Sequence, residues 1–378
     1  MRILYVFPEP LPLPRARGIQ VAHTVAALAQ QGITVCLAYV PSNDLGDPLT
    51  AYGIEQPRGV ELVPLSRGLP APFSRLPMHS NRIFFYRLSR WLKQEKKRGR
   101  PPALVMARHL KVAHALLNTF PDIPLLYEAH EVFADVAPLA KREHLARIEK
   151  SVLQRARALV AITRGVAEDL KKRYQIEREL HILPDAVSWP ARIPEKPWRE
   201  AGQHIVYAGS FFPWKGVQDL VAAAKWLPGC RITLMGGSPE RIREYQSQTP
   251  VGGAEVMFTG YVSHAEALKA LGQACIAVLP NRAEPNSLWS SPLKLFEYMA
   301  SGCAVVAADL PSVREALADD EAIWVPPGDS QALAAGIHRL VSHPEQARQM
   351  GESLRQRAKR HTWEARAEKL TAIMRALA

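Results

Sequence analysis

The chain has 378 residues, more than one hydrophobic core usually supports, so two domains are expected from length alone. Lysine and arginine number 48 against 36 acidic residues, a net charge of +12 that favours polyanionic partners: phosphates, anionic lipid or nucleic acid. The four cysteines, Cys36, Cys230, Cys275 and Cys303, lie far apart without C-x-x-C pairing, which points away from a zinc knuckle or a disulfide framework and fits a reducing cytoplasm.

The chain opens with "MRILYVFPEP", an apolar run too short for a signal-peptide core. No segment reaches the roughly 18 unbroken apolar residues of a spanning helix, so a soluble or peripheral protein is expected. Apolar runs of strand type then alternate with helical patterns, the signature of βαβ units and parallel sheets. In the first half the strand candidates are "RILYVF", "TVCLAYV", "VELVPL", "ALVMA", "PLLYEAH" and "ALVAIT". Between the third and fourth lies "SNRIFFYRLSRWLKQEKKRGR", with eight basic residues and one acid between positions 80 and 100. At helical spacing Phe84, Leu88, Trp91 and Leu92 share one face, and Arg82, Arg90, Lys93 and Lys97 lie opposite. Such a helix suits an anionic membrane surface on the acceptor side of an enzyme, or a core-facing helix with a solvated basic back. No nucleic-acid-binding module accompanies the charge, so nucleic acid is not expected as a partner.

The segment "ILPDAVSWPARIPEKPWREAGQH" holds four prolines and little periodicity, and reads as a linker. The expected division is a domain at 1–183, a linker at 184–203, a second domain at 204–360, and a final helix at 361–378 packing back on the first domain. Strand candidates in the second half are "HIVYAG", "RITLMGG", "EVMFTG", "CIAVLP", "CAVVAAD" and "AIWVP". The first is followed by Gly209, Ser210 and a short turn with Pro213, and then Lys215-Gly216 opens an apolar helix. A lysine at such a turn can reach a phosphate while the backbone approaches beside glycine; a solvated turn lysine is the plainer alternative.

Further on, "SSPLKLFEYMASG" predicts a helix over about 292–301, with Ser291 as N-cap, Pro292 at the first position and Gly302 past the end. Its first N–H groups, at Leu293 and Lys294, together with the helix dipole make a diphosphate seat. Glu297 is a lone acid among Leu293, Leu295, Phe296 and Met299, one turn beyond Leu293 and about 6 Å further along the axis. That separation suits a carboxylate accepting both ribose hydroxyls of a nucleotide. A helix-face pair with Lys294 accounts for the same residue, and spacing alone leaves both readings open.

These residues carry a resemblance. "HIVYAGSFFPWKGV", "FTGYVSHAEAL", "AVLPN", "SPLKLFEYMASGCAVVAADLPSVREAL", "WVPPGDSQALAAGI" and "HTWEARAEKL", in that order, resemble the C-terminal half of family 4 glycosyltransferases, in the subgroup with the SPLKLFEYMA form of the motif. "RGIQVAHTVAALAQQGITV", "YEAHEVF" and "IEKSVLQRARALVAITRGVAEDL" follow the N-terminal half more loosely. The resemblance implies the GT-B fold: α/β, two Rossmann-like doubly wound parallel-sheet domains facing a central cleft. It implies a retaining transfer, without metal or other cofactor, from a UDP- or GDP-sugar to a sugar, glycolipid or small-molecule acceptor. Lys215 would then bind the donor diphosphate with backbone N–H groups at Leu293 and its neighbours, and Glu297 the ribose. Backbone around Gly260, Tyr261 and Val262 would border the base. Gly18 marks the family's glycine-rich loop, with Arg15 and Arg17 adding charge against donor phosphate or acceptor. His130 matches the active-site histidine, acting through its ring or its backbone carbonyl, with Glu131 as the competing group.

The chain departs from the family pattern twice. Trp289 stands where many members carry an acid eight residues before the ribose glutamate, with Glu284 nearby but off register and Asn286, Ser290 and Ser291 as polar alternatives. Ser210 stands where many carry an arginine five residues before the phosphate lysine, leaving Arg282 or an arginine of the first domain to compensate. A non-catalytic nucleotide-sugar binder is the competing function. A Rossmann dehydrogenase is disfavoured, because no G-x-G-x-x-G follows the first strand.

Overall fold

A computed structural model describes residues 1–13, 15–42, 47–55, 57–68, 80–190, 194–196, 198, 203–289, 291 and 293–377. The chain forms two compact units, Met1–Pro184 with Trp363–Ala378, and Asp185–Thr362.

The first unit is built on a seven-stranded parallel sheet in the order β3-β2-β1-β4-β5-β6-β7. Its strands are β1 Arg2–Leu11, β2 Thr34–Pro41, β3 Val60–Pro64, β4 Leu104–Ala107, β5 Leu125–Ala129, β6 Ala158–Ala161 and β7 His181–Ile182. The central strands are buried along most of their length because helices cover both faces, which is why they read as continuous apolar runs. Strand β7, two residues long, is too short to announce itself by any pattern. The order reverses between β1 and β4, and sheets of this kind bind ligands at the carboxyl ends of the strands beside such a switch.

The basic helix Ser80–Lys97 turns Phe84, Leu88 and Leu92 into the first unit's core. Trp91 is half-buried beneath the Arg2 guanidinium, and Arg82, Arg90, Lys93 and Lys97 are exposed. The core-facing alternative therefore describes the apolar stripe of this helix, which is already covered, while the basic residues and Tyr86 remain outside. The terminal helix Trp363–Arg375 also belongs to this unit, Trp363 stacking on His23 with ring centroids 5.5 Å apart.

The second unit has a six-stranded parallel sheet in the order β10-β9-β8-β11-β12-β13. Its strands are β8 His204–Ala208, β9 Arg231–Met235, β10 Glu255–Gly260, β11 Ile276–Leu279, β12 Ala304–Ala308 and β13 Ile323–Val325. Here the switch falls between β8 and β11. The segment read as a linker is packed on this unit where it is described. The Asp185 N–H donates to Ser291 Oγ at 2.9 Å, Val187 bridges to Thr362, and the buried Lys196 ammonium donates to the carbonyls of Leu271 and Ala274 beside Cys303 Sγ. Proline content signalled irregular backbone there, and carried no information about whether that backbone is packed. Among the described residues no helix is long and apolar enough to cross a membrane.

Candidate functional site

In the second unit the strand-to-helix turn after β8 is held rigidly against the switch point. Gly216 takes a left-handed φ of 69°, and a Cβ there would lie 1.7 Å from the Pro280 carbonyl oxygen at the end of β11, so only glycine fits. The Trp214 carbonyl accepts from the Arg282 N–H at 3.0 Å and from Ser287 Oγ at 3.3 Å. This clamp presents Lys215, whose ammonium lies 3.7 Å from the Trp214 ring centroid. Phe212, 54% exposed, stacks parallel to Trp214 on the outer side of the turn.

The helix Leu293–Ala300 begins close to its expected start. Pro292, Ser290 and the Asn286 side chain lie outside the described residues. The Ser291 hydroxyl accepts from the Asp185 backbone N–H, and the Leu293 N–H points back to the Ser291 carbonyl at 3.0 Å. Lys294 does not pair with Glu297. Its ammonium donates to Tyr207 Oη at 2.8 Å and lies over that ring, against Gly209, where an added Cβ would meet it at 2.8 Å. Ser210 is next in the chain, so a cation, Lys294, stands against the residue that precedes it. Arg282 does not stand in for the missing family arginine: Asp219, nearly buried, takes its guanidinium with two 2.7 Å bonds.

Glu297 is buried, and His264 Nε2 lies 2.7 Å from its Oε1. His264 opens the helix His264–Gln273, just after the exposed Tyr261 and half-buried Val262 at the end of β10. The histidine thus ties the region expected to border the base to the carboxylate expected to hold the ribose. Sequence reasoning missed it, because no local pattern links residues 264 and 297.

The site is electrostatically poised for an anion. Burial pushes the Lys215 ammonium down to about 7. Burial, reinforced by the charge of Lys215 and opposed by Glu297, holds Lys294 well below the usual lysine range. Burial also works against a charge on His264, but the hydrogen bond and charge of Glu297 outweigh it and raise its pKa. Two buried lysines whose ammonium groups have no ion-pair partner among the described residues favour a ligand bearing negative charge.

In the first unit His130 follows β5 and is held at both ring nitrogens. Arg108 Nη2 lies 3.0 Å from Nδ1, and Nε2 lies 2.6 Å from Glu128 Oε1. A guanidinium only donates, so Nδ1 accepts and Nε2 carries the proton given to Glu128. Burial and the Arg108 charge push His130 down to about 4, keeping the ring neutral. Glu128 is fully buried; burial opposes its charge, but Arg366, His130 and Arg108 together hold it well below the usual carboxylate range. Gln20 Nε2 at 2.7 Å and Arg366 Nη2 at 3.1 Å reach the same oxygen. Gly18 lies in the first turn of the helix Ala16–Gln30 without positive φ, and a Cβ there would meet Tyr52 Oη at 2.3 Å and the Leu13 carbonyl at 2.4 Å. Its missing side chain makes room for Tyr52, which bonds both to and from the Leu13 backbone. Trp289 ends the short helix Pro285–Leu288, half-buried, and Glu284 is its N-cap residue, with no capping bond from its side chain.

Known proteins agree with this architecture. The family model described as Glycosyltransferase Family 4 matches residues 18–188, and that described as Glycosyl transferases group 1 matches residues 202–343. Among curated proteins, glycogen synthase of Mycobacterium tuberculosis is 26% identical over 276 residues, 68% of this chain, which spans 64% of the length of that synthase. Among solved structures, sucrose-phosphate synthase from Thermosynechococcus elongatus superposes with a TM-score of 0.75 at 21% identity, covering 100% of this chain and 99% of that one. HepE of Anabaena in complex with UDP-glucose gives 0.73 at 14% identity, with both chains covered in full. With both parallel-sheet units and both family matches in agreement over most of its length, the chain belongs to the family 4, group 1 glycosyltransferases of the GT-B fold.

Proposed function

We propose that the protein is a retaining glycosyltransferase that moves a sugar from a UDP- or GDP-sugar to an acceptor hydroxyl without a bound metal. The observation that carries this reading is the placement, at one switch point, of a buried carboxylate oriented by His264, of the Lys294 ammonium beside Gly209, and of Lys215 near enough for its charge to act on Lys294. A nucleoside diphosphate presents this pattern in reverse: two hydroxyls on the ribose, then a pair of anionic phosphates. The UDP-glucose held by HepE is a ligand of that class.

Glu297 accepts the ribose hydroxyls, and Lys215 and Lys294 hold the diphosphate. The anomeric C–O bond breaks with its electron pair passing to the diphosphate, whose growing charge the two ammonium groups stabilise. The acceptor oxygen bonds to the anomeric carbon on the same face, and its proton passes to a departing phosphate oxygen. His130, with both ring nitrogens engaged, contributes its backbone carbonyl near the developing positive charge and takes no part in proton transfer.

The test is release of UDP or GDP from a panel of sugar nucleotides, with and without acceptor extracts, and the anomeric coupling of any product read by NMR. Glu297→Ala and Lys215→Ala are each expected to weaken donor binding or turnover about 10- to 100-fold, the loss expected for charge-assisted hydrogen bonds. Unchanged kinetics in both variants, or UDP binding without turnover of any donor, would defeat the catalytic reading.

A further inference from the structure

The backbone that follows His130 is gripped by a group from another helix. Strand β5 ends at Ala129, and after His130 and Glu131 the chain turns into the short helix Phe133–Val136. The N-cap residue of that helix is Val132, fully buried and with no polar side-chain atom to offer the first N–H groups. Glu149, on the helix Leu139–Arg155, supplies the acceptors instead. Its Oε1 takes the Phe133 N–H at 2.9 Å, and its Oε2 takes the Ala134 N–H at 3.3 Å and the Tyr174 hydroxyl at 2.7 Å. Arg142, on the same helix, donates to the carbonyls of Ala137 at 3.1 Å and Asp135 at 3.3 Å, and Arg173 pairs with the Asp135 carboxylate.

Glu149 is fully buried. Burial raises its pKa, opposed by the bonds from Tyr174, Phe133 and Ala134 and by the charge of Arg173. The titratable groups around it are Tyr174 and Arg173 at the end of the helix Arg164–Tyr174, Tyr127 on β5, which its charge reaches, and Asp135 of the gripped segment, held by Arg173. A serine or asparagine at position 132 would satisfy the same N–H groups without burying a charge. What the remote carboxylate adds is placement: it ties the backbone just beyond His130 to a helix that lies later in the chain.

We propose that Glu149 is a positioning residue of the transfer step, fixing the backbone of His130 and Glu131 through its hold on Phe133 and Ala134. The inference rests on the transfer reading above, in which the His130 carbonyl lies near the developing positive charge; Glu149 itself touches no substrate. The hold needs the ionised form, because protonation turns one oxygen into a donor facing other donors. The positioning is therefore complete above the raised pKa of Glu149 and lost as pH falls through it.

The test follows turnover of the sugar nucleotide that wild type cleaves fastest across the acid and neutral range, with affinity for the released nucleoside diphosphate by calorimetry and hydrogen exchange of residues 130–137 by mass spectrometry. Glu149→Gln keeps the volume but sets an amide N–H against a backbone N–H. It should lower kcat about tenfold, leave nucleotide affinity within about twofold, and quicken exchange at Phe133 and Ala134. The acid limb of the kcat profile should vanish in Glu149→Gln and move to higher pH in Tyr174→Phe, which removes a bond favouring the carboxylate. If Glu149→Gln quickens exchange or lowers the melting temperature but keeps the wild-type kcat and acid limb, Glu149 anchors the fold alone and the proposal is overturned while the transfer reading stands. A parallel loss of kcat and nucleotide affinity also overturns it. If wild type binds UDP or GDP but turns over no donor, the transfer reading fails and the positioning role with it. Should Glu149→Gln not fold, the limb of Tyr174→Phe decides: a shift supports the proposal, and an unmoved limb defeats it.

Discussion

Lys215 and Lys294 are both buried enough to disfavour their charge, and the charge of Lys215 adds to the cost of charging Lys294. A bound diphosphate relieves that cost, because an adjacent anion raises a lysine pKa. Lys215, at about 7 when free, should therefore take up a proton as UDP binds at pH 8, and UDP affinity should fall as pH rises above 7, by up to about tenfold per unit for one coupled group. Calorimetry in buffers of different ionisation enthalpy reads the uptake directly; no uptake at pH 8 would mean that Lys215 does not meet the phosphates. Histidines set a different window. His109 and His130 are both held near 4, against about 6.5 when unfolded. The unfolded chain therefore binds more protons than the folded one as pH falls from about 6.5 to 4, and stability is lost through that range. His264 runs the other way, its contribution being full below the unfolded value and fading as pH rises through its raised one. His109→Asn keeps an acceptor for the Val112 N–H at the helix start, so it should flatten the acid slope of urea midpoints without removing the cap.

At the scale of elements, the turn from Gly209 to Gly216 shows how a few backbone constraints aim a side chain. Gly216→Ala would force a Cβ onto the Pro280 carbonyl in a left-handed backbone, at a cost of about 1–3 kcal/mol for the backbone alone. The melting temperature should drop and UDP binding weaken together, because Lys215 is the preceding residue; a stable variant with normal UDP affinity would show that the clamp does not position the lysine. Elements of this kind were legible in the sequence where the signal was local. The twelve expected strands correspond to β1–β6 and β8–β13, and Glu297 stood out as an acid in an apolar helix. Glu128 has the same signature, a fully buried acid inside "LLYEA", but the strand pattern around it drew the attention. The roles of Ser291, Lys294 and Glu297 depended on partners such as Asp185, Tyr207 and His264, which lie 106, 87 and 33 residues away. Spacing along one helix favoured a Lys294–Glu297 pair, and longer-range contacts decided against it. The basic helix Ser80–Lys97 shows the same limit: its periodicity fixed which face is apolar, and only the packing of Phe84, Leu88 and Leu92 shows that this face is covered.

At the scale of the whole chain, the terminal helix returns to the first unit and closes its most buried charge. Arg366 pairs with Glu128 Oε1 at 3.1 Å and donates to Thr24 Oγ1 at 3.3 Å and the Pro184 carbonyl at 2.9 Å, so residues at opposite ends of the sequence share one buried ionic cluster with His130. Both charges are almost fully out of water, at 4% and 0% side-chain exposure. Removing one partner of such a pair leaves the other buried and uncompensated, typically at about 3–5 kcal/mol. Arg366→Ala is therefore expected to lower stability by an amount of that order and to raise the pKa of Glu128, which loses the strongest cation acting on it. Arg366→Met with Glu128→Gln, which removes both charges while keeping volume, should recover most of the loss, because no buried ion is then left alone. The measurement is a double-mutant cycle from urea unfolding, read beside donor turnover. If the double variant regains stability but not turnover, Glu128 positions His130; if both return, the ion pair serves the fold alone. If Arg366→Ala is as stable as wild type, the terminal helix does not anchor the first unit through this pair.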